Sequence, residues 1–589
     1  MAAMSTPNYV FSVSKIAQSG RIEIDSLLAG YKWGEGSKPG EGVSLSYSFG
    51  VAGLSAYRDG YLTPDPGSVW TLSGTARAAI RQALNTWTAV ANITCTEVAD
   101  NALSCGDLRF GGSNAPATAY TVLPVADIPE AGDVWFGPLF ADPSLSWASG
   151  SYTYQTIVHE IGHAFGLKHL HEEYGAFPIA PTGIDSQLYS TMSYRSYPGA
   201  PPGMGYWQDR FPTTPMVDDI AAIQYLYGAN MSTNAGDTVY SWQPGQAIFE
   251  TIWDGGGNDT ISWANQTTDA RIDLRPGSYS DLGPAWRAGF YMESRTLGIA
   301  YDCWIENAIG GSGNDILIGN ERDNALYGGA GDDTLIGGAG NNLLDGGDGV
   351  DTAVFEGAPT SYTIRHSGAG EVTVDGPQGT NTLRSIEHLS FGDMTLALSR
   401  DATPGTVAST FFGVANSASG RQVLQEASTY SGPVQTLQWQ LIGSDDGEAI
   451  VGGNGNDFIN SRGGMDAIDG GAGDDVLDGG TGSNFLTGGA GHDTFFLDAR
   501  SGEPVWSTVT DLEAGEIVTV WGWQPGQSVI TWAEMGGAGG FTGATAHIDL
   551  NGDGQTDASL TLSGKSVGSL TAMPGTVNGT DYLAVWLNG

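Results

Sequence analysis

Five residues in one short stretch can do chemistry together. His159, Glu160, His163, Gly166 and His169 lie in the run His-Glu-Ile-Gly-His-Ala-Phe-Gly-Leu-Lys-His. Side chains four apart share one face of a helix, so His159 and His163 can grip one metal ion. Glycine tolerates the positive φ of a sharp turn, so Gly166 can end that helix and let the chain return with His169 as a third ligand. Zinc held by three protein ligands keeps a tetrahedral position open for water, as catalytic rather than structural ions do. Glu160 sits beside the ligands and is placed to take a proton from that water. A bare His-Glu-x-x-His arises by chance on amphipathic helices, but the extension through Gly166 and His169 makes chance a poor account. The expectation is one zinc ion and metal-assisted hydrolysis.

The elements that must hold these groups can be read around them. Ala79, Ile80, Ala83, Leu84 and Trp87 recur at helical spacing and predict an amphipathic helix at the start of the stretch 75–98. Strand-like runs follow at Asp107–Phe110, Ala119–Val122 and Asp133–Phe136, and the zinc helix is expected over Tyr154–Leu167.

A second motif follows the histidines. Tyr189-Ser-Thr-Met-Ser-Tyr194 resembles the Met-turn that lies beneath the metal in metzincin proteases. Several other stretches extend the likeness. They are Asp25–Gly34, Leu45–Phe49, Pro215–Gln224, Thr251–Asp254 and Ile305–Ile309. Together the chain resembles the serralysin-type metzincins, secreted calcium-dependent proteases of Gram-negative bacteria, well over 21–355 and more loosely beyond. The resemblance implies an α+β zinc-protease domain followed by all-β parallel β-roll domains. It implies that Met192 lies under the zinc and that Tyr194 is a fourth ligand at rest, swinging away to hydrogen-bond the tetrahedral intermediate. The implied reaction is endoproteolysis of extended polypeptides. The substrate is expected as an added strand near Asp133–Phe136, with Trp135 at the cleft rim.

Glycine, at 89 of 589 residues, is periodic. Nine-residue units start at Gly310, Gly319, Gly328, Gly337 and Gly346, and again at Gly443, Gly452, Ser461, Gly470, Gly479 and Gly488. This is the RTX nonapeptide pattern, in which six residues turn and offer oxygen ligands and three form a short strand. A flexible linker would need no apolar residue at a fixed place, yet Leu317, Leu326, Leu335 and Leu344 recur every nine. Between Gly310 and Val354 stand eight carboxylates and one base, Arg322, so cations are expected to be part of the fold. Candidate calcium ligands in the first array are Gly311, Gly313, Asp315, Gly329, Gly331, Asp333, Gly347, Gly349 and Asp351. In the second they are Gly453, Gly455, Asp457, Gly471, Gly473, Asp475 and Asp493. Before and between, the joins contribute Gly236, Thr238, Asp254, Gly256, Gly257, Asp259 and Glu306. Asn324, Asn342 and Asn484 replace the aspartate and predict weak or empty sites. A further loop, with Asp549, Asn551, Asp553 and Asp557, resembles a calcium loop but has Leu560 where an EF-hand carries glutamate.

Lys and Arg total 23 against 65 Asp and Glu, a net charge of −42, which argues against nucleic acid or anionic membranes as partners. No apolar run reaches the length of a membrane helix. Three cysteines are too few for a disulfide scaffold; Cys95 and Cys105 could pair across a short loop, leaving Cys303 single. The N-terminus lacks the pattern of a secretory signal, whereas Asp581–Gly589, an acidic residue before an apolar cluster, resembles the C-terminal signal of type I secretion substrates.

The expected order is a short propeptide over 1–20, the catalytic domain over 21–250, the first roll over 251–356 and a small β module over 357–400. A linker or insertion over 401–440 follows, then the second roll over 441–500 and a C-terminal β region with the secretion signal over 501–589. The expected product is a secreted, extracellular, monomeric enzyme that meets peptide substrates and the type I secretion machinery. The rival reading is a calcium-binding surface or adhesin-like protein with a vestigial protease domain. A milder rival is a protease held at the cell surface by its second array.

Overall fold

Short apolar runs punctuated by glycine make strands, and among the described residues four segments form α-helices instead. In the computed structural model the described residues are 13–55, 57, 61, 68–126, 128–201, 203, 208–357, 361–368, 371–392, 395–398, 410–414, 423–429, 437, 439–443, 447, 449–453, 455–500, 504–537 and 540–588. The chain divides into two units, 1–329 and 330–589.

In the first unit the helices are α1 (Ile22–Asp25), α2 (Gly74–Val90), α3 (Tyr152–Ala164) and α4 (Val217–Tyr227). The strands of its N-terminal part are β1 (Val13–Lys15), β2 (Tyr31–Trp33), β3 (Val43–Phe49), β4 (Val69–Trp70), β5 (Ile93–Glu97), β6 (Leu108–Ser113), β7 (Ala119–Thr121) and β8 (Val134–Phe136). Ser73 and Ser151 cap α2 and α3, accepting from the Ala76 and Tyr154 amides at 3.1 and 3.2 Å, which is worth about 1 kcal/mol each. The apolar stripe of α2 packs on α3, and the Trp87 indole donates to the Val158 carbonyl at 3.1 Å.

The main sheet runs in the order β5-β3-β6-β8-β7, parallel except for β7, with β4 pairing β6. This corrects the expected substrate edge. β8 is paired on both sides, the edge strand is β7, and Trp135 is fully buried at 0% exposure rather than at a rim. Alternation in a three-residue apolar run cannot tell an inner strand from an edge. Beyond α4 the same unit carries parallel ladders in which Tyr240, Ile261, Ala308 and Leu326 stand in one row and Ile272 and Leu317 in another.

The second unit holds the rest of the repeats. Leu335 pairs with Ala353, and in the second array Ile450, Ile468 and Leu486 form one parallel row while Ile459, Leu477 and Phe495 form another. Partners are eighteen residues apart, so two nonapeptides make one turn. Each turn drives one apolar side chain inward on either side; Leu477, Leu486 and Phe495 are all buried, and each contributes about 1.5–3 kcal/mol of burial. Glycine is required where turns stack: Gly473 has φ +136°, and a Cβ there would collide with the Gly455 carbonyl group.

The expected small module has antiparallel strands Thr363–Gly368, Glu371–Gly376 and Gly379–Arg384, but it is not free of the repeats. Leu383 and Leu389 pair in parallel with Leu344 and Ala353 and continue their buried rows. The expected linker falls mostly outside the described residues; within its described part Thr410–Val414 and Val423–Thr429 pair antiparallel. Of the expected propeptide, residues 1–12 lie outside the described residues, and β1 pairs with β2. After the repeats Val505–Val509 and Ile517–Trp521 still pair in parallel with the array strands Thr481–Ala490 and Thr494–Asp498, and Thr580–Leu587 pairs antiparallel with both Leu570–Val577 and Ile517–Trp521. No disulfide joins Cys95, Cys105 or Cys303, so the expected option of a Cys95–Cys105 bridge is not realised.

Candidate metal centre and repeat sites

The helix α3 places His159 and His163 on one face, and Gly166, at φ +109°, turns the chain. The return is fixed by backbone bonds. Ala29 donates to the Gly166 carbonyl at 3.0 Å and Lys168 to the Leu27 carbonyl at 2.7 Å. The buried Lys168 ammonium donates to the carbonyls of Ser26, Glu172 and Pro178, so the segment bearing His169 is held on three sides. Trp33 and Tyr227 donate to the Ala164 and Phe165 carbonyls, satisfying the helix end.

The three Nε2 atoms converge. His159 and His163 are 3.1 Å apart, His159 and His169 3.1 Å, and His163 and His169 3.0 Å. The other ring nitrogens face acceptors: His159 Nδ1 lies 2.8 Å from the Thr191 carbonyl and His163 Nδ1 2.7 Å from the Leu167 carbonyl. Those bonds put the proton on Nδ1 and turn the Nε2 lone pairs toward one point. His169 Nδ1 is 2.9 Å from Glu172 Oε1, at an angle poor for a hydrogen bond. Three lone pairs so close repel unless they share a cation. A zinc ion at about 2.0–2.1 Å from each would space tetrahedral nitrogens about 3.3 Å apart, close to what is seen. Burial pulls the His159 imidazole down to about 4, and burial with the neighbouring rings depresses His163 and His169 as well, so all three stay neutral and ligand-ready.

Glu160 is buried, at 6% exposure. Its Oε2 accepts the Thr121 hydroxyl at 2.6 Å. Burial pushes its carboxyl up to about 7, with Thr121 pulling the other way. His159, Glu160 and Tyr194 line one cleft with Thr118 and Ala119 of the edge-strand region and with Tyr152, Gln155, Thr156, Gln187 and Ser193. Tyr194, 36% exposed, stacks on His159 with centroids 5.7 Å apart and leans on His169 at 4.5 Å. Met192 is buried beneath α3, where a side chain on Gly162 would meet its sulfur at 2.6 Å.

Several residues that position this centre were not marked by the sequence reading. Asp219 of α4 accepts from Ser190 Oγ at 2.5 Å, from the Thr191 amide and hydroxyl at 2.6 and 2.8 Å, and from the Met216 amide at 3.0 Å. It thereby fixes the carbonyl of Thr191 that orients His159. Thr121 holds Glu160. His171 stacks against His169 at 5.2 Å, and His169, His171 and Glu172 form a second group within ligand reach that shares one histidine with the first.

In the repeats the position-six residues stack. The amides of Asp333, Asp457 and Asp475 donate to Oδ1 of Asp351, Asp475 and Asp493 at 2.7–2.8 Å. Asp466 was missed; it is buried at the same position of the unit starting at Ser461, and its amide donates to Asn484 Oδ1 at 3.0 Å. Counting in nines from Asp457 would have found it. Oδ2 of Asp259, Asp475 and Asp493 is buried with no hydrogen-bond partner among the described residues. Burial among Asp457, Asp493 and Asp474 pushes Asp475 up to about 8. A buried anionic oxygen without a donor is costly, and a hard cation of calcium's type fits it.

The other expected ligands fall in three places. Asp315 Oδ2 accepts from the Gly311 amide at 2.5 Å, in the turn that also holds Gly313. Asp254, Asp259, Glu306 and Thr238 are brought together: Thr238 donates to Asp259 Oδ1 at 2.8 Å and the Asp259 amide to Glu306 Oε2 at 3.0 Å. In the loop 549–557, Asp549 accepts the Gly552 and Gly554 amides at 2.7 Å, and Asp557 the Leu550 amide at 2.7 Å.

Two family models match the chain. Peptidase M10 serralysin C terminal covers residues 224–374, and the RTX calcium-binding nonapeptide repeat covers 442–477 and 469–499. Curated relatives agree. "Metalloprotease AprA" of Pseudomonas entomophila is 35% identical over 51% of this chain and 63% of its own length. "Serralysin" of Proteus mirabilis is 36% identical over 42% and 54%, and "Serralysin A" of Dickeya chrysanthemi 34% over 49% and 60%. The chain is similar to the serralysins over part of its length. The matches span less than two thirds of the length of these relatives. For a serralysin relative with RTX repeats, the cofactors are zinc and calcium, and the histidine triad is the group that fits zinc.

Proposed function

We propose that this chain is a zinc-dependent endopeptidase that hydrolyses extended polypeptides, built as a metzincin α+β domain followed by calcium-bound parallel β-rolls. The observation that carries the reading is the convergence of three Nε2 lone pairs at 3.0–3.1 Å beside a buried, singly anchored carboxyl. His159, His163 and His169 would hold the zinc, with Tyr194 within reach as a fourth ligand at rest. When bound, zinc supplies Lewis-acid polarisation of a carbonyl and lowers the pKa of water. Glu160 acts as general base and then passes the proton to the leaving amine. The Tyr194 hydroxyl donates to the oxyanion as it forms, a preorganised electrostatic contribution. The edge strand β7 offers its unpaired side to the substrate backbone, adding the peptide as a further strand.

Asp333, Asp351, Asp457, Asp475 and Asp493 hold calcium between turns, with the glycine carbonyls of the same units. The enzyme is secreted to the medium through the type I route. That part of the reading rests on the carboxylate-rich repeats. A vestigial, purely adhesive protein is the less favoured reading, because the three histidines converge on one point and Glu160 and Tyr194 line the cleft with His159.

Casein hydrolysis by the purified chain tests the reading, at fixed calcium, with and without a zinc-selective chelator. Activity should vanish with the chelator and return with one equivalent of zinc. Undiminished hydrolysis after zinc has been removed would overturn it.

A further inference from the structure

The sheet that follows the second array carries a second cleft, far in sequence from the histidines. Four of its strands run in register there: Ser483 pairs with Trp506, Trp506 with Ser559 and Ser559 with His547. Alternation puts all four on one face, and two residues along, Thr561 and Thr545 occupy that face as well. The opposite face is apolar, with Leu560, Leu562, Ala546 and Ile548 buried. A face turned away from the core would ordinarily carry charges, but this one carries an indole, an imidazole and hydroxyls.

The cleft has a volume of about 450 Å³, the size of small-molecule sites. Its floor is locked by its own bonds: Thr545 and Thr561 hydroxyls are 3.0 Å apart, and Trp506 Nε1 lies 3.4 Å from Thr561 Oγ1. The exposed His547 turns Nδ1 to Ser559 Oγ at 3.1 Å, which leaves Nε2 for a ligand. Asp557 stands at one end with its Oδ2 on the Leu550 amide, and no Lys or Arg is among the described residues that line the cleft.

These groups select one chemistry. A half-buried indole offers a flat face to C–H groups, and hydroxyls, imidazole and carboxylate exchange hydrogen bonds with hydroxyls. An anion would meet Asp557 and a chain of net charge −42. A peptide added as a strand would need a free sheet edge, yet the strands bearing Trp506 and Ser559 are each paired on both sides. The geometry points to a binding site for a neutral saccharide on this face, independent of the protease centre.

The test uses the full-length, calcium-loaded protein. Maltotriose, cellotriose and chitotriose are titrated by calorimetry and by saturation-transfer NMR, with trigalacturonate as the acidic probe. At least one neutral trisaccharide should bind saturably, with the largest transfer at ring C–H protons, and trigalacturonate should not. Trp506→Ala should weaken binding by about tenfold or more. His547→Ala, on an exposed side chain, should weaken it several-fold while the circular dichroism spectrum is unchanged, and it decides the matter if Trp506→Ala fails to fold. No saturable binding of any neutral probe, equal binding of trigalacturonate, or unaltered affinity in His547→Ala would each overturn the assignment.

Discussion

Glu160 shows how a residue's neighbours set its task. It has one anchoring bond, from Thr121, and otherwise faces the cleft. Glu160→Ala should therefore keep zinc at one equivalent while peptide hydrolysis falls by about a hundredfold or more; near-full casein activity in that variant would refute its role as base. The Tyr194 ring packs against His159 and His169. Tyr194→Phe should lower kcat more than it raises KM, because the hydroxyl acts in the transition state. Steady-state kinetics on a peptide substrate check this, and an unchanged kcat would reduce Tyr194 to packing. Asp133 is different. It is buried beside Arg109, whose guanidinium is already paired with Asp100 at 2.8 Å, and it accepts the Tyr61 hydroxyl. Burial pushes it up to about 7. A folded pKa above the unfolded value of about 3.9 means the native state holds the proton longer. The associated stability is fully present below pH 4 and is lost as pH rises through 7, on the order of 2–4 kcal/mol. Urea midpoints of wild type and Asp133→Asn, compared at several pH values, should converge at low pH and separate near neutrality. Parallel curves would show that Asp133 is ionised throughout.

At the scale of elements, the centre is a joint product of α3, α4 and the segment Leu27–Ala29. The three histidines were legible because all lie within eleven residues, where helix geometry and one glycine determine their meeting. Thr121 and Asp219 were not, because strand β7 and helix α4 reach the site only through tertiary packing. The same limit explains Trp135: pattern alone predicts a strand but not its neighbours. The repeats were legible as inward leucines at nine-residue spacing, while the stacking of Leu383 and Leu389 onto them was hidden by the antiparallel excursion between. Asp219 carries the clearest element-level expectation. It binds four groups that shape the turn bearing Thr191 and Met192. Asp219→Ala should weaken zinc affinity by about 10–100-fold, as loss of a ligand's supporting shell does. Competition with a chromogenic chelator measures it, and wild-type affinity would show that the turn holds its shape unaided.

For the whole molecule, the carboxylates decide when the chain folds. Buried oxygens on Asp475 and Asp493 have no donor among the described residues, and without cations the arrays should resist compaction. Calcium binding becomes folding free energy. The full-length chain in chelator should have little of its repeat β structure, and circular dichroism should show a cooperative gain as calcium is added. Asp333→Ala with Asp351→Ala should move the midpoint to higher calcium, and a chain fully folded in chelator would contradict the mechanism. The eighteen-residue pairing has one more consequence. Insertion or loss of two nonapeptides adds or removes a complete turn and leaves every later strand on its own wall. A change of a single nonapeptide sends each later strand to the opposite wall, and with it the sheet bearing Trp506. Length changes in these arrays should therefore be tolerated in steps of two nonapeptides, not one.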